Sequence, residues 1–221
     1  MNRGERLIVS GHDGFALPVF AHAAQGERRG AVIVIQEIFG VTPHIRDASR
    51  FFADAGYEAF APALFARLDP DFEATHDAEG IAQGRAAVAA TPWEQVAADI
   101  QAVLGGAPGP RFVVGFCWGG AATWAAAARC RGLNAAACFY GRQIPDILAP
   151  APLIPVMLHY GAGDASIPPE NVESVRAAAP AAPLYMYDAG HGFCREGSAD
   201  LDAPSRALAF ARTLEWFARW R

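Results

Sequence analysis

The segment Arg111-Phe112-Val113-Val114-Gly115-Phe116-Cys117-Trp118-Gly119-Gly120 decides the fold class of this chain. Its residues 112–116 form a short apolar run that favours a buried strand, and the alanine-rich run that follows, 121–129, favours a helix. Between them Cys117 lies in a glycine-containing turn, which is the setting of a nucleophile elbow with cysteine in the usual place of serine. The alternative is a structural cysteine buried in an ordinary connection between a strand and a helix.

Strand-like and helix-like segments alternate on both sides of this stretch. Strands are predicted over residues 31–35, 57–61, 135–140, 153–159 and 184–187, and helices over residues 43–55, 94–104, 168–178 and 205–220. A hairpin of residues 7–9 and 15–17 is expected at a sheet edge, because Pro18 cannot donate to a ladder. The alternation predicts an α/β fold with a doubly wound, mostly parallel sheet and helices on both faces.

Length and composition indicate one soluble α/β domain over residues 1–221. The chain is 52% hydrophobic and 19% charged, and its net charge of -5 comes without a basic block, so no nucleic-acid partner is expected. No apolar run approaches the roughly 18 residues that span a bilayer, and no apolar leader follows Met1, so we expect no membrane partner. The absence of a disulfide pattern among the cysteines favours a reduced, cytoplasmic location, and we expect a monomer. The four cysteines show no metal-ligand or disulfide spacing, and no cofactor or metal is expected.

Four residues whose side chains could take part in catalysis lie just after predicted strands: Glu37, Cys117, Asp164 and His191. The carboxyl ends of parallel strands lie at one rim of the sheet, so these side chains are expected to converge there. Cysteine, aspartate and histidine also occur in the chain order of a hydrolase triad. The sequence therefore predicts a single site at this rim.

Each member of the predicted triad has a chemical task. His191 would act as the base for the Cys117 thiol, and Asp164 would hold the imidazole in the correct tautomer and stabilise its cation. The backbone N–H groups of Trp118 and Ile38 are the expected oxyanion donors, with help from the N-terminus of the helix after Cys117.

Four motifs in order resemble the dienelactone hydrolase family, and the match extends over nearly the whole chain. They are Gln36-Glu37-Ile38-Phe39-Gly40, Gly115-Phe116-Cys117-Trp118-Gly119-Gly120, Gly163-Asp164 with Ile167-Pro168, and Gly190-His191-Gly192-Phe193-Cys194-Arg195.

The resemblance implies an α/β-hydrolase fold and a cysteine hydrolase that opens a dienelactone ring to maleylacetate through an acyl-enzyme. It also implies that Glu37 takes part in activating the thiol when substrate binds, and that Arg195 holds the substrate carboxylate. The family has a second substrate-binding arginine in the region matching residues 66–92. The candidate here is Arg85, although its register departs from the family pattern, which leaves the acyl and lactone specificity open.

Other features of the sequence allow more than one interpretation. Phe39 and Tyr140, together with Trp118 and Phe193, are expected either to line the pocket or to fill the core. Residues 66–92 are expected to be an irregular, solvated, acidic connection, or a cap over the pocket. Two further functions stay open: a cysteine esterase or thioesterase acting on another small carboxylic ester, and a non-catalytic redox-sensing or binding module on the same fold.

Overall fold

The segment that precedes Cys117 forms a central strand of an eight-stranded sheet. The computed structural model describes residues 4–221, so the first three residues of the expected domain lie outside the described part. The strands are β1 (Glu5–Ser10), β2 (Ala16–His22), β3 (Gly30–Ile35), β4 (Tyr57–Pro62), β5 (Arg111–Phe116), β6 (Ala135–Phe139), β7 (Val156–Gly161) and β8 (Leu184–Tyr187). Their order across the sheet is β1-β2-β4-β3-β5-β6-β7-β8, and β3 to β8 run parallel.

Helices cover both faces of this sheet. They are α1 (Pro43–Asp54), α2 (Ala78–Ala89), α3 (Trp93–Gly106), α4 (Trp118–Arg129), α5 (Pro169–Ala178) and α6 (Ala203–Arg219), with a short 3-10 turn at Ile144–Ile147. Right-handed crossovers from β3 to β4 and from β5 to β6 run in opposite directions along the sheet, so α1 and α4 lie on opposite faces. This confirms the predicted doubly wound sheet. Within residues 4–221, no helix has both the length and the apolar character needed to span a membrane.

The order of the strands reverses between β3 and β5. Strand β3 pairs with β4 on one side and with β5 on the other, and all six of its residues are buried. In open α/β sheets, ligands bind outside the carboxyl ends of the strands at such a reversal. Glu37 follows β3 and Cys117 follows β5, so the fold places both at this point.

The prediction of the hairpin at a sheet edge is confirmed, although the strand that contains Pro18 is the inner one of the two. The hairpin does lie at the sheet edge, but β1 is the outer strand and β2 pairs with β1 and β4. The proline is tolerated because the pairing of β2 with β4 starts only at Val19. The Pro18 carbonyl accepts a hydrogen bond from the Ala63 N–H at 2.9 Å.

Residues 66–92 are more regular than the sequence indicated, because α2 occupies the second half of this stretch. Its acidic side chains have structural roles: Asp77 caps α2 by accepting from the Gly80 N–H at 2.9 Å, and Glu73 pairs with Arg46 at 2.9 Å. The strand expected from residue 153 also begins later, at Val156, and Leu153 is 71% exposed.

Candidate active site

Cys117 lies on a strained turn between β5 and α4. Its φ of 56° is in the left-handed region that non-glycine residues rarely occupy, which is a feature of nucleophile elbows. The neighbouring glycines make the turn possible: a Cβ on Gly115 would overlap the Gly119 carbonyl, and a Cβ on Gly119 would overlap the Gln36 carbonyl. The backbone is therefore packed so that the thiol stands between the ends of β3 and β5.

Asp164 and His191 come together at the ends of β7 and β8. The His191 Nδ1 lies 2.7 Å from the Asp164 Oδ2. The other carboxylate oxygen accepts from the Ser166 backbone N–H at 2.8 Å and from the Ser166 hydroxyl at 2.6 Å. These contacts leave Asp164 ionised and fix the imidazole orientation, with Nε2 free to face the thiol.

The groups around His191 favour the protonated form of its imidazole. Burial lowers the pKa of His191, but hydrogen bonds to Asp164 and to the Cys117 thiol outweigh it and raise the pKa to about 10. Burial likewise raises the pKa of Asp164, and the hydrogen bonds from His191 and Ser166 bring it below its usual value. At neutral pH the two residues therefore form an imidazolium–carboxylate pair beside the sulfur.

We expect the pH dependence of kcat/KM to reflect this pair. Because the His191 pKa is raised in the folded protein to about 10, the imidazolium is complete at neutral pH and is lost only as pH rises through about 10. Asp164→Asn removes the main supporting hydrogen bond and should move this loss of activity down by about 1 to 3 pH units. The check is kcat/KM measured from pH 6 to about 11, with the His191 ring titrated by NMR; an unmoved alkaline limb in the variant would contradict the assignment.

Glu37 is held by Arg195 in a buried, two-point ion pair. The Arg195 Nε lies 3.0 Å from the Glu37 Oε2, and Nη2 lies 3.1 Å from Oε1. The Glu37 side chain is completely buried and that of Arg195 is 8% exposed. Burial raises the pKa of Glu37, but the fields of His44 and Arg195 outweigh burial and bring the pKa below its usual value. The carboxylate therefore stays ionised.

The structure brings two further residues to this ion pair that the sequence reasoning missed. The Arg195 Nη1 contacts the Asp200 carboxylate at 2.6 Å, and the His76 Nε2 lies 4.0 Å from the Glu37 Oε2. Both residues lie on loops outside the four motifs, so no sequence spacing pointed to them. Ser166 was also missed, although an Asp-x-Ser turn is a recognisable signal for a hydroxyl bound to the aspartate.

Two aromatic residues named by the sequence reasoning lie beside these groups. The centroids of the Phe39 and His76 rings are 4.2 Å apart, and the Arg195 guanidinium carbon is 5.5 Å from the centroid of the Phe39 ring. The Tyr140 ring meets the His191 ring edge-on at 5.1 Å. Both aromatic residues are buried, so their positions fit a pocket floor as well as the core.

Tyr140 has two unusual properties. Its φ is 37°, and its hydroxyl is buried with no hydrogen-bond partner found among residues 4–221. Burial raises its pKa well above the usual value, so the hydroxyl keeps its proton and remains a donor. A buried donor without a partner near His191 is suited to a polar atom of a bound molecule.

The remaining candidates lie at the edges of the site. Trp118 begins α4, so its backbone N–H belongs to the first helical turn, whose N–H groups have no partner within the helix. Ile38 follows β3 and lies under Gly84 of α2, where an added Cβ would meet the Ile38 carbonyl at 2.5 Å. Arg85 is the next residue on α2 and is exposed. The fold thus places Arg85 on the helix over Ile38, and within residues 4–221 no hydrogen bond or ion pair ties it to the site.

Comparisons with known proteins bear on the chemistry of this arrangement. The model of the dienelactone hydrolase family matches residues 17–220. The chain belongs to this family. A carboxymethylenebutenolidase from Pseudomonas sp. (strain P51) is 31% identical over 210 residues, with 87% of this chain and 86% of that protein covered. A Salmonella typhimurium protein named "Putative carboxymethylenebutenolidase" is 39% identical over 211 residues, with 86% of this chain and 77% of that protein covered.

Solved structures agree with the family assignment. The crystal structure named "Putative Dienelactone Hydrolase" from Klebsiella pneumoniae has a TM-score of 0.87 and 33% identity, and covers 98% of each chain. As a member of the dienelactone hydrolase family, the protein is a carboxylic ester hydrolase with the α/β-hydrolase fold. This decides against the non-catalytic module that the sequence had left open.

Proposed function

We propose that this dienelactone hydrolase family member opens the lactone ring of 4-carboxymethylenebut-2-en-4-olide to give maleylacetate. The observation that carries the proposal is a buried guanidinium beside a thiol–imidazole pair. Arg195 offers a planar, permanently charged fork for a substrate carboxylate, and Cys117 with His191 and Asp164 provides the acyl-transfer chemistry. Few ester substrates combine a carboxylate with a lactone, so this pairing of groups supports a dienelactone.

In the first half of the reaction, the Cys117 sulfur attacks the lactone carbonyl carbon. The resulting oxyanion accepts hydrogen bonds from the backbone N–H groups of Ile38 and Trp118. The ring C–O bond then breaks, and the His191 imidazolium gives its proton to the departing enolate oxygen. The enol becomes the ketone of maleylacetate, and the acyl group stays on sulfur as a thioester.

In the second half, His191 has lost its proton and can act as a base. It takes a proton from a water molecule whose oxygen attacks the thioester carbonyl, and the C–S bond breaks with sulfur leaving as thiolate. This step leaves the thiolate beside the imidazolium, and the thiolate then takes back the proton that Glu37 accepted. Asp164 stabilises the imidazolium at the beginning and end of each cycle, at the 2.7 Å contact.

Glu37 is the proposed acceptor of the thiol proton. His191 is a poor acceptor at neutral pH because its pKa is about 10. Glu37 is a buried carboxylate that Arg195 holds in its ionised form, so it can accept a proton. When a substrate carboxylate binds Arg195, Glu37 is free to turn towards Cys117, as the family resemblance implies.

The peripheral residues have proposed roles in substrate binding. The protonated Tyr140 hydroxyl would donate to a polar atom of the substrate, and Phe39 would pack against its ring. Arg85 would contribute only if the side chain folds down from α2 towards Ile38. A monomeric state and a cytoplasmic location remain predictions.

A second candidate is a cysteine esterase or thioesterase that prefers neutral esters. It is favoured by one observation: Arg195 already contacts two carboxylates, Glu37 and Asp200, so little positive charge is left for a substrate anion. In this case the triad chemistry would be the same and only the acyl group would differ.

The experiment that separates the two candidates compares kcat/KM on the dienelactone with values on its primary carboxamide and on a neutral aryl ester. Dienelactone hydrolysis predicts a preference of about 10- to 100-fold for the acid over the carboxamide, the effect of hydrogen bonds to a charged group. Cys117→Ala serves as the blank. Equal rates on acid and carboxamide, or turnover of the aryl ester alone, would favour the esterase.

A further inference from the structure

Arg195 has two carboxylate partners, and the set carries an excess negative charge. Its Nε and Nη2 contact Glu37 at 3.0 and 3.1 Å, and its Nη1 contacts the Asp200 Oδ2 at 2.6 Å. One positive charge therefore lies between two negative ones. A substrate carboxylate that approaches Arg195 meets a net negative cluster, so it can bind well only if one of the two residents leaves.

The two resident carboxylates differ in how easily they can leave. The Glu37 side chain is completely buried, while that of Asp200 is 51% exposed. A carboxylate freed at a half-exposed position becomes hydrated, so breaking that pair is inexpensive in free energy. A carboxylate freed inside the protein is left without water or a counter-ion, which is strongly unfavourable. Asp200 is therefore the partner that gives way first.

Asp200 is held next to Arg195 by a short turn built on Arg195 itself. The Ser198 hydroxyl donates to the Arg195 carbonyl at 3.2 Å, and the Asp200 N–H donates to the Ser198 Oγ at 3.1 Å. Just beyond, the Asp202 N–H donates to the Phe193 carbonyl at 3.0 Å. The carboxylate is thus tethered five residues from its arginine, at a high effective concentration.

We propose that Asp200 is a specificity-determining residue, which occupies the Nη1 of Arg195 and competes with the carboxylate of the substrate. The inference rests on the proposed role of Arg195 in substrate binding. When an anionic substrate displaces Asp200, Arg195 still holds two carboxylates, so the exchange leaves the net charge of the cluster unchanged. A neutral ester does not displace Asp200. The strength of the Arg195–Asp200 contact therefore sets the preference between anionic and neutral acyl groups.

The test uses Asp200→Asn, which removes the charge and keeps the size of the side chain. Its matched control is Glu196→Gln, which removes an equal charge from the same loop, where Glu196 pairs with Arg206 at 3.4 Å instead. The first readout is the dissociation constant of butanoate, followed by ligand-detected NMR, with butanamide as the neutral counterpart. The second is the ratio of kcat/KM between an acid-bearing lactone and its carboxamide, resolved into KM and kcat.

In Asp200→Asn we expect butanoate to bind about tenfold more tightly while butanamide does not, and the kcat/KM ratio to rise by a similar factor, mainly through KM. Glu196→Gln should change neither readout by more than about twofold. Weaker butanoate binding in Asp200→Asn would mean that Asp200 supports Arg195, and unchanged binding would mean that it does not compete; either result overturns the inference. Because butanoate binding needs no turnover, a failure to hydrolyse the dienelactone would count against the proposed function alone.

Discussion

Cys117→Ala is expected to lower kcat/KM by about 10⁴-fold or more on every ester that the wild-type protein hydrolyses. The reason is that no other side chain lies on the elbow between β5 and α4, where the hydrogen bond to His191 and the helix N-terminus act together. The acyl-enzyme should also disappear, which mass spectrometry of acid-quenched reactions can measure.

Cys130→Ala is the matched control for this variant. Cys130 is buried at the other end of α4, where its thiol donates to the Ala97 carbonyl at 3.3 Å, and burial raises its pKa to about 12. This variant should keep its acyl-enzyme and most of its activity. Turnover of Cys117→Ala within tenfold of wild type, or an acyl group found on Cys130, would rule out Cys117 as the nucleophile.

Arg195→Met is expected to lower the free energy of unfolding by about 3 to 5 kcal/mol, because it leaves the completely buried Glu37 carboxylate without its counter-ion. Glu37→Gln/Arg195→Met removes both charges and should recover most of that loss. The loss in the single variant should shrink as pH falls, because a Glu37 without Arg195 takes up a proton more readily in the folded state. Urea unfolding at pH 7 and pH 5 measures both effects.

An exposed ion pair provides the comparison for Arg195. Arg176 and Glu173 lie three residues apart on α5 at 3.3 Å, with side chains 48% and 66% exposed. Arg176→Met should change the free energy of unfolding by no more than about 0.5 kcal/mol. If Arg195→Met were as mild as Arg176→Met, or if the double variant were no more stable than the single one, the pairing with Glu37 would not be a major source of stability.

The architecture and the meeting of Asp164 with His191 could be predicted from the sequence, because both depend on local patterns. Apolar runs such as residues 31–35 mark strands that are covered on both faces, and residues directly after parallel strands share one rim. The same reasoning placed Glu37 at this rim. It could not show that Glu37 contacts Arg195, because the two residues are 158 positions apart and are joined only by the folded sheet.

The contacts that the sequence reasoning missed are made by loop residues. Loops lack the regular periodicity of helices and strands, so the spacing of residues in a loop does not predict where their side chains point. His76 and Asp200 reach the ion pair from two such loops. Pro18 did not reveal that its strand is the inner one, because a proline is compatible with an inner strand wherever a neighbour begins its pairing one residue later. The direction of the Arg85 side chain on α2 could not be predicted from the sequence.

The long separation between the members of the site has a consequence for synthesis of the protein. Cys117 precedes Asp164 and His191 in the chain, and Glu37 meets Arg195 only after β8 has joined the sheet. A ribosome-bound chain that ends before residue 164 carries the thiol on its elbow sequence but has neither Asp164 nor the imidazole of His191. The triad is therefore complete only after the last strand has been added, so the esterase chemistry depends on the finished sheet and not on the elbow alone.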